Sequence, residues 1–193
     1  MDIELIQPVL AMLNFEDGSI DNSDPIIVRH LSDLQGYFQD AAAYHAMLKE
    51  DPVLYRVYPM KSSGEENGLL IGTSVIEPGM VGNEYFMTKG HFHALAQAPE
   101  VYFTLSGQGI ILIETADGTT VSQTMKKGAI HYIPGKWAHR TINTGDVPLI
   151  FFAVWPANAG HNYGAIKDKG FATLVIKGKN GPKLVKNPKY ETS

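Results

Sequence analysis

Short apolar runs separated by turn signals dominate the chain from about residue 53 to residue 177. Each run is either wholly apolar or alternates apolar and polar positions, and glycine, aspartate or proline recurs between the runs. Many short antiparallel strands are typical of a jelly roll or barrel, so the pattern predicts an all-β fold. The predicted strands are 53–58, 69–76, 100–105, 108–115, 119–125, 129–133, 147–155 and 172–177.

Two turns are predicted with their type or position. Asp117-Gly118 lies between two strand-like runs and is typical of a type I′ hairpin. Ser106-Gly107, just before Gln108-Gly109, predicts another tight reversal.

Residues 1–60 follow a different pattern, with one helix-like stretch. Ser32 is a candidate N-cap, and apolar residues recur at helical spacing from Leu34 to Leu48. We expect one domain over 1–193, with an N-terminal arm containing one or more helices in 1–60, the barrel in 61–177 and a tail in 178–193.

Composition excludes several classes of function. Hydrophobic residues make up 44% and charged residues 19%, and the net charge is -4, which argues against a nucleic-acid partner. The chain has no cysteine, so any metal site must use histidine and carboxylate. The longest apolar stretch, Leu149 to Trp155, is far shorter than the roughly 20 residues that span a bilayer, and no signal peptide is recognisable. We therefore expect a cytoplasmic protein with no membrane partner.

Two histidines separated by one residue provide the first candidate for chemistry. On a strand, His91 and His93 would project from the same face and could reach one metal ion. Glu100 opens the next strand, where a hairpin could return it beside them, and Tyr102 shares its face. Histidine pairs of this kind are also common as ordinary polar groups, so the spacing by itself gives a metal hypothesis only.

A larger set of residues resembles the two motifs of the cupin superfamily of small β-barrels. The matching positions are His91, His93, Glu100 and Gly107 in the first motif and Gly128, Pro134, His139 and Asn143 in the second. Within that superfamily the chain is similar to the cupin-type glucose-6-phosphate isomerases of archaea and some bacteria, over essentially its whole length. The specific matches are Thr88–His93, Glu100, Tyr102, Trp137–Thr141 and Gly160–Gly164.

The resemblance implies one divalent metal ion per subunit, held inside the barrel by His91, His93, Glu100 and His139. Three nitrogen ligands and one oxygen ligand suit Fe²⁺, Mn²⁺, Ni²⁺ or Zn²⁺, and we favour Fe²⁺.

The resemblance also implies the interconversion of glucose 6-phosphate and fructose 6-phosphate. Glu100 would be the base, acting through a metal-stabilised cis-enediolate, and His161 would open the sugar ring or hold a hydroxyl. A metal-assisted hydride shift is the rival mechanism. The implied substrate contacts are Tyr55, Ser74, Thr88, Gly90, Tyr102, Trp155, His161 and Tyr163.

The chain departs from the related patterns at several positions. The gap from His93 to Glu100 is longer than the usual cupin gap, and Lys136 stands where glycine is common. Ser74 replaces a threonine, which keeps the hydroxyl, and Trp155 replaces a tyrosine, which removes one.

Two other functions remain open for the same fold. A three-histidine, one-glutamate site also supports dioxygenase chemistry, and a non-catalytic sugar-phosphate-binding cupin is a third reading. Mannose 6-phosphate would converge on the same enediol. We expect a homodimer, because the segment before residue 60 has apolar surface to bury.

Overall fold

Antiparallel strands form most of the regular structure in the computed structural model, which describes residues 6–61, 65 and 67–191. The strands are β1 Ile27–His30, β2 Val53–Pro59, β3 Leu69–Ile76, β4 Met80–Val81, β5 Glu84–Tyr85, β6 Glu100–Ser106, β7 Gln108–Glu114, β8 Thr120–Lys126, β9 Ile130–Ile133, β10 Ala138–Asn143, β11 Leu149–Pro156, β12 Thr173–Gly178 and β13 Gly181–Lys186. The helices are α1 Ala41–Met47 and α2 Gly164–Lys167, with 3-10 turns at Leu31–Leu34 and Pro188–Glu191. Within the described ranges no helix is long and apolar enough to cross a membrane.

The strands assemble into three antiparallel sheets. Their orders are β1-β2-β3-β11-β6-β9, β10-β7-β8 and β13-β12-β5-β4. Phe151 of β11, Ile111 of β7 and Ile142 of β10 are buried in one shared core, so the first two sheets pack face to face. The prediction of an all-β barrel or jelly roll is confirmed.

The eight strands predicted from the apolar runs are all present, with ends within two residues of the predicted ones. In β6 the period of two is clear, because Glu100 and Tyr102 are buried while Phe103 is exposed. This alternation aims Glu100 and Tyr102 into the barrel.

The tight reversal predicted at Ser106-Gly107 is wrong. β6 pairs with β11 and β9, whereas β7 pairs with β10 and β8. Gly107, at φ +74°, instead leads the chain from one sheet to the other. It passes so close to a neighbouring backbone that a Cβ there would lie 2.5 Å from the carbonyl oxygen of Pro148.

The hairpin at Asp117-Gly118 is confirmed, but its turn type is not I′. A type I′ turn needs positive φ at both central residues. Gly118 has φ +87°, whereas Asp117 does not lie in the left-handed region. The Gly118 N–H donates to the Thr115 carbonyl at 3.0 Å, so the loop is a three-residue connection that ends on a left-handed glycine.

The prediction of one helix running from Ser32 to Leu48 is also wrong. The 3-10 turn Leu31–Leu34 stops before Gly36, which has φ +85°, and α1 starts only at Ala41. Asp40 caps α1, accepting from the Ala43 N–H at 2.9 Å. The apolar stripe nevertheless packs on the core as expected, since Leu34 and Tyr44 are buried.

Five strands were not predicted: β1, β4, β5, β10 and β13. β10 was missed because its sequence, Ala-His-Arg-Thr-Ile-Asn, has no apolar alternation, although every one of its residues is buried. β13 lies in the segment predicted to be a tail and pairs with β12 along its whole length. β1 and β2 extend the six-stranded sheet from within the segment predicted to be an arm.

Candidate active site

Three short segments bring the predicted metal ligands together inside the barrel. His91 forms a bridge with His139 of β10, with backbone N–H···O distances of 3.2 and 3.1 Å in the two directions. His93 follows two residues later, and Glu100 opens β6 on the facing sheet. Isolated bridges rather than a regular strand therefore hold the His-x-His segment, yet both rings face the same interior.

The four side chains form one cluster. One ligand atom from each of His91, His93, Glu100 and His139 lies within 4.8 Å of all the others. The Oε2 atom of Glu100 is 2.9 Å from Nε2 of His139 and 3.3 Å from Nε2 of His93. The longer gap between His93 and Glu100 in the sequence thus leaves the cluster intact.

The cluster has the donor set and the unused lone pairs of a metal site. Among the described residues, Nε2 of His91, Nε2 of His93, Nε2 of His139 and Oε2 of Glu100 are buried and lack a partner with hydrogen-bond geometry, despite the short separations. Buried polar atoms without partners are costly unless another group satisfies them. Nδ1 of His93 is 2.8 Å from the Ala98 carbonyl oxygen, which orients the ring with Nε2 inward. The residues therefore fit a divalent cation.

The electrostatics favour the metal-binding protonation states of Glu100 and His91. At His93 the effect of burial is outweighed by the neighbouring Glu100 and the Ala98 carbonyl, so its pKa is raised. Burial alone would raise the pKa of Glu100, but the neighbouring His139 and His93 lower it to about 2. Burial and the other imidazoles lower the pKa of His91 well below its usual range. An ionised carboxylate beside a neutral imidazole is the state that coordinates cations.

One cavity of about 160 Å³ opens onto this cluster. Every residue predicted to contact substrate lines it: Tyr55, Ser74, Thr88, Gly90, Tyr102, Trp155, His161 and Tyr163. His91, Glu100 and His139 also line it, whereas His93 lines a separate cavity.

Two exposed rings of the cavity lining lie beside the candidate ligand cluster. His161 and Tyr163 stack with centroids 5.7 Å apart and planes 9° apart. The His161 ring is also 4.4 Å from the His91 ring, centroid to centroid. Burial lowers the pKa of His161, which favours its neutral form. Sequence spacing alone gave this loop histidine no role, and the structure places it beside a candidate ligand.

The backbone of the cavity lining at Thr88 and Gly90 is held by hydrogen bonds and by its conformation. The Thr88 N–H donates to the Thr141 carbonyl at 2.9 Å, and the Thr141 N–H donates to the Thr88 hydroxyl at 3.1 Å. Gly90 has φ +71°, a left-handed conformation that glycine adopts without strain. Thr88 and Gly90 are therefore fixed next to His91.

Arg29 and Lys89 also line the cavity, and the sequence analysis gave a role to neither of them. Arg29 was missed because β1 was not predicted. In the β1–β2 ladder Arg29 pairs with Tyr55. Lys89 lies inside the predicted segment, but its side-chain direction depends on the turn at Gly90.

The departure at Lys136 has a structural consequence. Lys136 has φ +71°, the region that favours glycine, which explains why glycine is common there. Its N–H donates to the Ala96 carbonyl at 2.5 Å and so ties it to the loop between His93 and Glu100.

An antiparallel jelly roll that gathers three imidazoles and one carboxylate in its interior has the architecture of a cupin with a metal centre. The family model described as "Glucose-6-phosphate isomerase (GPI)" matches residues 28–192, and the chain belongs to that family.

Relatives of similar length support the assignment. The chain is 45% identical over 189 residues to the glucose-6-phosphate isomerase of Thermococcus onnurineus, with 98% of this chain and 100% of the relative aligned. It is 48% identical to that of Thermococcus litoralis, with 95% and 97% aligned, and 44% identical to that of Pyrococcus furiosus, with 96% and 98% aligned.

Similarity to solved oxalate decarboxylase structures covers only part of the chain. The oxalate decarboxylase of Bacillus subtilis aligns at 23% identity and a TM-score of 0.44, over 52% of this chain and 25% of that one. The family assignment therefore comes from the sequence relatives.

Proposed function

We propose that this protein interconverts glucose 6-phosphate and fructose 6-phosphate. One observation carries the proposal: a single cavity is lined both by the candidate ligands His91, Glu100 and His139 and by the candidate phosphate donors Thr88 and Gly90. A sugar phosphate needs both sets of residues, because its reacting carbons and its phosphate are separate groups of one molecule. The relatives at 44–48% identity carry the name of this activity.

We propose that His91, His93, Glu100 and His139 hold one divalent cation. Such a cation supplies Lewis-acid stabilisation to the charge that develops on two neighbouring sugar oxygens. The nitrogen-rich donor set favours Fe²⁺, with Mn²⁺, Zn²⁺ and Ni²⁺ as the alternatives to compare.

Glu100 is the proposed base that moves the proton between C1 and C2. Its Oε2 faces the imidazoles of His93 and His139, so Oε1 is the oxygen that remains to accept the proton. A depressed pKa keeps this carboxylate ionised and ready to accept, although it weakens the base. His161 is the proposed group for ring opening, because its neutral imidazole can take a proton from the ring hydroxyl.

The remaining predicted residues position the substrate. Thr88, Gly90, Ser74 and Tyr163 are proposed to donate hydrogen bonds to the phosphate, with Tyr55 beside them. Tyr102, which is buried, and Trp155 form walls that exclude water from the reacting carbons.

An isotope experiment separates proton transfer from the hydride shift. Substrate deuterated at C2 is converted, and the label at C1 of the product is measured by NMR. Transfer through Glu100 predicts loss of label to solvent, because a carboxylic acid exchanges its proton. Complete retention at C1 would establish the hydride route instead.

The activity itself is tested by converting fructose 6-phosphate with a coupled glucose 6-phosphate readout. The protein is treated with chelator and then reloaded separately with Fe²⁺, Mn²⁺, Zn²⁺ and Ni²⁺. We expect activity to vanish with the metal and to return with at least one of these ions. Undiminished turnover after complete chelation, or none with any ion, would refute the proposal.

We further propose that the enzyme works as a homodimer in the cytoplasm, without a nucleic-acid or membrane partner. A near-equilibrium isomerase serves glycolysis and gluconeogenesis alike. The lack of cysteine fits a compartment in which disulfides do not form.

A further inference from the structure

Two cations line the candidate substrate cavity without an ion-paired carboxylate among the described residues. Arg29 lines it from β1, and Lys89 lines it between Thr88 and Gly90. Among the residues that the structure describes, neither forms an ion pair within 4.0 Å. Arg29 donates a long hydrogen bond of 3.4 Å to the carbonyl of its neighbour Val28, which leaves most of its guanidinium unused.

The two charges act on each other and on the cavity around them. Burial and the positive charge of Arg29 lower the pKa of Lys89, and the carboxylate of Asp33 acts on it in the opposite direction. The same guanidinium acts electrostatically on the hydroxyls of Tyr55 and Tyr163. Among the described residues that line the cavity the carboxylate is Glu100, and it faces the imidazoles of His93 and His139. Arg29 and Lys89 therefore bring positive charge to the lining beside Thr88.

Hydrogen-bond donors alone do not select a phosphate, because hydroxyls and backbone N–H groups also bind neutral sugars. A phosphate monoester carries a charge of about -1.5 to -2 at neutral pH. Two cations without an ion-paired carboxylate match that charge, and a bound anion offsets the repulsion between them.

We propose that Arg29 and Lys89 select the charged phosphate of the substrate, adding charge to the hydrogen bonds that Thr88 and Gly90 supply. The inference rests on the proposed function and assigns it two specificity residues. A structural role explains neither side chain, since both are half-buried and neither is paired with a described carboxylate.

Arg56 is a matched control on the adjacent strand. It stands next to Tyr55, so the period of two points it to the other face of the sheet, where it forms an ion pair with Glu77. An Arg56→Gln change removes one positive charge from the same region without touching the cavity.

The test measures binding of fructose 6-phosphate, fructose and inorganic phosphate by calorimetry to the metal-loaded enzyme. Arg29→Gln and Lys89→Gln are each expected to weaken fructose 6-phosphate binding by about tenfold, and the double variant by about a hundredfold. Binding of inorganic phosphate should weaken in parallel, while the affinity for fructose should not change. Arg29→Lys should retain affinity within about threefold, because it keeps the charge. Arg56→Gln should match the unaltered enzyme.

Binding of fructose 6-phosphate to the double variant within about twofold of the unaltered enzyme would overturn the inference. An equal loss for fructose, or for Arg56→Gln, would do the same, because it would show a general effect on the fold. Turnover by the unaltered enzyme separates this outcome from failure of the proposed function. An inactive enzyme whose phosphate binding depends on both cations would refute the isomerase activity and leave the anion site standing.

Discussion

Gly90 combines a left-handed backbone with close packing, in the segment that carries two candidate phosphate donors. A Cβ at this position would lie 2.7 Å from the Phe171 ring and 3.0 Å from the carbonyl oxygen of His139. We predict that Gly90→Ala lowers the free energy of unfolding by about 2–4 kcal/mol and raises KM more than it lowers kcat. Urea denaturation and steady-state kinetics measure the two effects.

Gly128→Ala is the control for backbone strain alone. Gly128 has φ +89°, yet an added Cβ would meet nothing within 4 Å. In this variant the free energy of unfolding should fall by about 1 kcal/mol, and KM should not change. Equal losses in the two variants would show that packing around Gly90 is unimportant.

The metal ligands are tested one side chain at a time. His139→Ala and His91→Ala should each lose bound metal and turnover, because either change leaves three donors in a site built for four. Elemental analysis after dialysis measures the metal, and circular dichroism checks the fold. His45→Ala, on the exposed face of α1, should keep both. Stoichiometric metal in the His139→Ala protein would show that the ligand assignment is wrong.

At the scale of elements, Arg140 of β10 ties the sheet to the Thr88–His91 segment. Its Nε and Nη2 atoms both donate to the Lys89 carbonyl, at 3.2 and 2.7 Å, and its guanidinium lies 4.4 Å from the centroid of the Phe171 ring. Arg140 is buried, and the buried carboxylates Glu84 and Glu114 act on its charge. Arg140 therefore fixes the Thr88–His91 segment through the Lys89 carbonyl, while His139 on the same strand belongs to the candidate ligand cluster.

We predict that Arg140→Met destabilises the fold by about 3 kcal/mol near neutral pH. Burial already raises the pKa values of Glu84 and Glu114, and loss of the cation would raise them further. A raised folded-state pKa makes a carboxyl favour the folded state at low pH and oppose it as the pH rises through that pKa. The loss of stability caused by Arg140→Met should thus be larger at about pH 8 than at about pH 5.5 in urea titrations. A deficit that is independent of pH would exclude this electrostatic explanation.

Arg140→Lys distinguishes charge from geometry. Lysine keeps the positive charge but has no planar fork for two bonds to one carbonyl. We expect Arg140→Lys to be more stable than Arg140→Met, close to the unaltered protein. Its KM should still be raised, because the Thr88–His91 segment would lose the two hydrogen bonds that Arg140 donates to the Lys89 carbonyl. Full recovery of both would show that charge alone matters.

The elements that the sequence predicted are those whose signal is local. β3 and β6 carry their own alternation, and the His91-x-His93 spacing is contained in three residues. β10 could not be predicted by periodicity, because its buried polar residues are satisfied by distant partners such as Lys89. Arg29 lines the cavity because β1 pairs with β2, and the register of that pair shifts between Arg29 and His30. No local sequence pattern encodes this pairing or its shift.

At the scale of the whole molecule, the N-terminal segment is hydrogen-bonded to the rest of the fold at several points and also carries exposed apolar side chains. The Gly18 carbonyl accepts a hydrogen bond from the Thr73 hydroxyl on β3, which docks the segment on the six-stranded sheet. Leu10, Met12 and Phe15 are 79%, 63% and 68% exposed. Large apolar side chains clustered in one exposed segment are typical of an interaction surface.

We predict that a second copy of the chain covers this surface. Leu10→Glu combined with Phe15→Glu should shift the protein from dimer to monomer in sedimentation equilibrium, because charged side chains are costly to bury in an apolar interface. Ile130→Glu is the matched comparison, since Ile130 is 70% exposed on β9, at the edge of the same sheet. If Ile130→Glu dissociates the dimer but the Leu10→Glu, Phe15→Glu double variant does not, the interface lies at the β9 edge instead. A monomeric unaltered protein would refute the dimer itself.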